Sequence, residues 1–111
     1  MKLVGKFQSA RWGTVVALRA HYCSADGPTA IVLETADGEP LGKLSVNMYK
    51  PYCSHDSRDL PDDCFYVKRW SENEEIAVEA LASGLFIERP DLPQATSGEV
   101  SAPVWEIRSP A

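Results

Sequence analysis

The hydrophobic pattern changes period along the chain, and each period predicts a different element. Residues 2–8 alternate loosely and predict a first strand, although Val4 and Phe7 are apolar at an odd spacing that leaves its register open. From Trp12 to Tyr22 the β-branched and apolar content predicts a second strand. Here Val16, Leu18, Ala20 and Tyr22 form an apolar face, and Ala17, Arg19 and His21 a mixed one. Ser24, Asp26, Gly27 and Pro28 mark a turn, and Ala30 to Thr35 is a compact third strand. Asp37-Gly38 then predicts a hairpin, because both positions accept positive φ. The return strand is Leu41 to Val46, with Leu44 and Val46 on one face and Ser45 and Asn47 on the other. The first half therefore reads as an antiparallel meander of three or four strands.

Residues 47–62 have no periodicity and contain two prolines, which predicts a surface excursion with at most a short helical turn. Cys64 to Trp70 returns to period two. Cys64, Tyr66 and Lys68 share one face, and Phe65, Val67 and Arg69 the other. Residues 71–83 change to helical spacing. Ser71 is placed as an N-cap that completes a capping box with Glu74. Ile76, Ala77, Ala80, Leu81 and Gly84 make an apolar stripe, and Gly84 is a natural C′ stop. Leu85, Phe86 and Ile87 either seal the helix end or start another strand. Glu88 to Glu99 reads as a mobile loop. Val100 to Ile107 reads as an edge or bulged strand, because Pro103 has no N–H to give. Residues 108–111 are expected to fray. The predicted fold class is α+β in a single domain, 1–111: an antiparallel sheet of about five strands, with one main helix packed on one face.

Composition narrows the function classes. With 44% hydrophobic and 24% charged residues, the 111-residue chain has the balance of a globular protein. No apolar run approaches the roughly 20 residues that span a bilayer, and the N-terminus has no apolar signal core. Three cysteines do not make a disulfide framework, so the expected location is cytoplasmic, with reduced thiols. The net charge of -5 is uneven. Residues 1–55 carry six Lys/Arg against four Asp/Glu, and residues 56–111 carry five against twelve. That balance argues against direct nucleic-acid binding, which needs a basic footprint.

The candidate chemistry is sparse. His21, Cys23, Cys53 and His55 are residue types that hold zinc. Both pairs, however, are spaced by one intervening residue, where structural sites usually use two to four. Together with Cys64 they are also candidates for a thiol–imidazole pair. No phosphate loop, dinucleotide fingerprint or metalloprotease motif is present, and no cofactor is expected. Two surfaces remain as interaction candidates. One is acidic: Glu72, Glu75 and Glu79 along the helix, with Asp56, Asp59, Asp62 and Asp63 before the preceding strand. It would act as a loose phosphate mimic or, more plainly, as a solvated face. The other is aromatic: Tyr49 and Tyr52 in the 47–62 excursion. Trp70 and Trp105 are expected to pack at the helix entrance and against the sheet.

Trp70-Ser71-Glu72-Asn73-Glu74, Ser83-Gly84-Leu85-Phe86 and Ala102-Pro103-Val104-Trp105 together resemble a family of small bacterial proteins without assigned function, found on plasmids, phages and integrated mobile elements. The resemblance covers the C-terminal half well and the N-terminal strands loosely, and it carries no catalytic residues. It implies a non-enzymatic accessory protein that contacts a host or mobile-element protein, as inhibitors of restriction or CRISPR machinery do. The alternatives are a small metal- or thiol-dependent enzyme centred on His21, Cys23, Cys53 and His55, and a structural or regulatory subunit. Self-association is expected through the edge strand near 100–107.

Overall fold

The computed structural model describes residues 1–108, so the expected fraying of 108–111 falls, past Arg108, outside the described residues. The chain is α+β, but its strands are more numerous and differently grouped than one five-stranded sheet. A first antiparallel sheet runs in chain order through β1 (Lys2–Ser9), β2 (Gly13–His21), β3 (Thr29–Thr35) and β4 (Pro40–Lys43). β5 (Ser45–Val46) leads into a second sheet with β6 (Cys64–Val67), β7 (Phe86–Glu88) and β10 (Val104–Ile107), in the order β5-β6-β10-β7. β8 (Ala95–Ser97) and β9 (Val100–Ala102) form a separate hairpin. The helix α1 is Glu74–Ala82, preceded by a 3-10 turn at Ser71–Asn73. Among the described residues no helix is long and apolar enough to cross a membrane.

The meander forms as its pattern predicts, with local corrections. Leu3 pairs with Leu18 and Gly5 with Ala17, so Val4 is the extra residue of a β-bulge. The bulge resets the phase of β1, which is why Val4 and Phe7 both pack on the core despite their odd spacing. In β2 the inner face is Val15 and Ala17, both fully buried, and not the Val16–Leu18 face. Arg19 and His21 continue that inner face past the end of the core, into a cleft described below. At the β3–β4 turn only Gly38 has positive φ, at 86°. Its N–H donates to the Thr35 carbonyl, so a tight turn is followed by a left-handed glycine.

Leu44 joins the two sheets. Its N–H donates to Ile31 in the first sheet, and its carbonyl accepts from Lys68 beyond the end of β6. A strand that changes sheets also changes cores. Leu44 belongs to the main core with Phe65, Val67, Phe86, Trp105 and the α1 stripe. Val46 packs instead on a second cluster with Met48, Cys64, Tyr66 and Val104. The second sheet is therefore covered on both faces, and all four residues of β6 are buried. In the main core Phe65 meets Phe86 edge to face at 5.5 Å between ring centroids, and Trp105 closes the aromatic cluster.

Three C-terminal expectations are corrected. The 88–99 loop contains β8, whose first residue, Ala95, is fully buried in the second cluster. Pro103 does not bulge one edge strand; it separates β9 from β10, and β10 lies inside the sheet between β6 and β7. Val104–Ile107 therefore has no free edge through which to dimerise. Ser71 does not cap the helix. It sits at φ 59°, and neither Trp70 nor Asn73 makes a side-chain cap hydrogen bond. The buried Asn73 side chain instead donates to the carbonyls of Lys43 and Lys68, tying the helix entrance to the strand that links the sheets. Trp70 packs on the second cluster. Gly84 ends the helix at φ 83° as predicted, and the residues after it do both things expected of them: Leu85 packs on the core and Phe86 opens β7.

Candidate binding surface

A cleft of about 990 Å³ opens between the β2–β3 connection and the 47–62 excursion. On the first wall the Tyr22 N–H donates to the Pro28 carbonyl and the Gly27 N–H to the Ser24 carbonyl. A Cβ at Gly27 would lie 1.8 Å from the Tyr22 carbonyl oxygen, so this turn needs glycine. His21 Nδ1 donates to the Gly27 carbonyl at 3.0 Å, and Cys23 is exposed at φ 67°. Beneath them the Tyr22 hydroxyl hydrogen-bonds Ser45 Oγ, which accepts from the Ile31 N–H. Burial holds the Tyr22 hydroxyl above the usual phenol range.

The second wall is folded around a buried carboxylate. Asp56 accepts from the N–H of Arg58 (2.9 Å), from its Nε (2.9 Å) and Nη2 (2.8 Å), and from the N–H of Lys50 (3.3 Å). These bonds hold its carboxyl far below the ordinary carboxylate range, Arg58 being the largest cause. Ser57 is also buried. Its N–H donates to the Met48 carbonyl, and its Oγ accepts from the Met48 N–H. Ser54 exchanges the same kind of pair with Thr96 of β8. What reads in sequence as an aperiodic excursion is thus a loop with its own hydrogen-bonded frame. At the rim, Tyr49 (50% exposed) and Tyr52 (73% exposed) pack edge to face at 5.5 Å. The Cys53 N–H donates to the Tyr49 carbonyl and closes the turn that carries them. Tyr49 also lines the cleft.

The other expected site residues do not assemble. His21 and Cys23 border the cleft, but the Cys53 thiol points at Met48 Sδ (3.8 Å) and His55 bonds its neighbour Ser54 (2.9 Å). Cys64 is buried between Arg89 Nη1 and Glu106 Oε2. Burial, and then the Glu106 charge, push its thiol up. No group of three His, Cys, Asp or Glu side chains is placed to hold a metal among the described residues.

The acidic helix row is broken up in the same way. Glu72 is ion-paired with Lys68 at 2.5 Å, which lowers its carboxyl. Glu79 Oε2 accepts the Ala10 N–H of the β1–β2 turn at 2.7 Å, so it is a structural residue. Glu75 is exposed with no internal partner among the described residues. Asp63, at φ 69°, pairs with Arg19. Asp62 lines the cleft, and Asp59 sits exposed in the 3-10 turn at Ser57–Asp59.

Sequence reasoning counted Asp56 only among the acidic residues and missed the network it forms with Arg58 beside Ser57. The signal was present, since Asp-Ser-Arg at the start of a turn is an Asx-type cap. The contacts of Glu79 and Asn73, with partners 69 and 30 residues away, had no local signature. No protein-family model, curated protein or solved structure matches this chain.

Proposed function

We propose that the chain is a non-enzymatic binding protein that holds a protein partner against the cleft face, with Tyr49 and Tyr52 as anchors. The observation that carries this reading is the pairing of two exposed tyrosines on a loop already fixed by Asp56, Ser57 and Ser54. Rigid aromatic side chains give contact area at low entropic cost, and a preordered loop avoids the ordering cost of binding. The adjoining cleft offers a recess for a partner side chain. The scattering of the metal and thiol candidates removes the main support for an enzyme. The internal use of Glu72 and Glu79 moves the weight from the acidic helix to the aromatic loop.

The resemblance to accessory proteins of mobile elements supports a host or element protein as the partner, including a nucleic-acid-handling defence complex. The test is affinity capture from the native host at low and moderate salt, with quantitative mass spectrometry. Tyr49→Ala/Tyr52→Ala is expected to lose the retained partner, and Glu75→Lys to keep it. Unchanged retention by the double tyrosine variant would overturn this reading. Loss with Glu75→Lys alone would return the site to the helix.

A further inference from the structure

We propose that the groove between α1 and the β8–β9 hairpin is a self-association surface, occupied by a second copy of this chain in a two-fold arrangement. The groove encloses about 680 Å³, with Trp70, Val78, Leu81 and Val100 among its apolar walls. Val78 is 69% exposed, more than any other large apolar side chain in a strand or helix of the described residues. A β-branched residue is a weaker helix former than the Ala, Glu or Lys that would suit a solvated position. Its presence there breaks two local preferences at once, with no compensation among the described residues.

The charges bordering the groove point to the occupant. Arg69 lies on its lining with Glu74 and Glu99, and none of the three makes an ion pair among the described residues. Arg19, Arg58 and Arg89, by contrast, are all internally paired. A two-fold contact sets one patch against its own copy, so an apolar centre flanked by unpaired charges of both signs lets Arg69 pair with Glu74 or Glu99 of the second copy, twice over. This contact is distinct from backbone pairing at the 100–107 edge, and it does not involve Tyr49 or Tyr52.

Sedimentation velocity from about 5 to about 500 µM tests the proposal, a range that covers weak to moderate dimers. The expected result is a monomer–dimer equilibrium that Val78→Glu weakens by about tenfold or more. Val78→Ala is expected to weaken it too, while leaving the melting temperature of the dilute monomer unchanged or higher, which separates association from folding. Arg69→Glu and Glu74→Arg/Glu99→Arg should each fail to self-associate, and an equimolar mixture should restore a dimer. Tyr49→Ala/Tyr52→Ala should dimerise like the wild type, so failure here and failure of the partner-binding reading are distinguishable. A monomer throughout overturns the proposal, as does wild-type association of Val78→Glu or a mixture that stays monomeric.

Discussion

Replacing Asp56 tests whether the aromatic loop is held by the network described above. Asp56 is 3% exposed and accepts four hydrogen bonds, two from backbone N–H groups and two from the Arg58 guanidinium. The guanidinium is 74% exposed, so solvent screens its pair with Asp56 and little of the stability rests on it. The two N–H groups matter more, because each bond is part-buried and a donor left there without its acceptor costs about 1–2 kcal/mol. The longer Lys50 bond argues for the lower end there. Asp56→Ala should therefore destabilise by about 2–3 kcal/mol. Asp56→Asn should come close to that loss, because either orientation of its amide turns N–H donors toward donors. With a urea m-value of about 1–1.5 kcal/mol/M, the midpoint should fall by about 2 M.

The pH dependence has a definite sign. The folded carboxyl titrates below its ordinary value of 3.8, so the unfolded chain takes up the proton first. The Asp56 contribution is complete above about pH 4 and is lost as pH falls through that value toward the folded one. The gap between wild type and Asp56→Asn should thus be full at about pH 6 and shrink by about pH 2–3. Urea melts followed by circular dichroism at several pH values measure this directly. A loss below about 0.5 kcal/mol, or a gap that does not change with pH, refutes the account of the loop.

Three further predictions follow from single contacts. A Cβ at Gly5 would lie 2.4 Å from Leu85 Cδ2, so Gly5→Ala should cost about 1–2 kcal/mol, and Leu85→Ala should be less harmful beside it than alone; additive urea-melt losses would contradict the clash. Glu79→Lys should destabilise by about 1–2 kcal/mol through loss of the Ala10 bond, whereas Glu75→Lys should stay within about 0.5 kcal/mol of wild type; equal effects in thermal melts would return Glu79 to the solvated face. Ser71→Gly should be neutral or stabilising by up to about 1 kcal/mol, because the native φ of 59° suits glycine; a loss of that size would instead indicate a working cap.

Elements governed by neighbours in sequence were legible, and those governed by long-range geometry were not. The stripe Ile76, Ala77 and Ala80 and the stop at Gly84 follow from helical spacing and left-handed φ, both local properties. The hairpin at Gly38 is local in the same sense. Val4 could not be placed, because a bulge shows only against its partner strand. The inner face of β2 was misread because Arg19 and His21 made it look polar, when they lie beyond the core at the cleft. The division of the sheet at Leu44 depends on pairing with both Ile31 and Lys68, a relation that alternation does not encode. The tyrosine pair was visible as a candidate. The frame that holds it was not, since Asp56 and Ser57 look in sequence like ordinary loop polar residues.

The acidic C-terminal half can now be divided by use. Of the twelve carboxylates in residues 56–111, Asp56, Asp63, Glu72, Asp91 and Glu106 are paired with arginine or lysine, and Glu79 holds a backbone N–H. Asp59, Asp62, Glu74, Glu75, Glu88 and Glu99 remain. They are distributed over a 3-10 turn, the lead into β6, the helix, β7 and the tip of the β8–β9 hairpin. A mimic of a nucleic-acid strand needs charges at regular intervals along one line, about 3.4 Å apart per strand in a duplex. These six, unpaired among the described residues, sit on five separate elements, so no single element supplies a regular row. Internal pairing accounts for half of this acidic charge, and the proposed function rests partner choice on shape and aromatic contact at the cleft. On that basis partner binding should depend only weakly on salt, unlike the binding of a phosphate mimic.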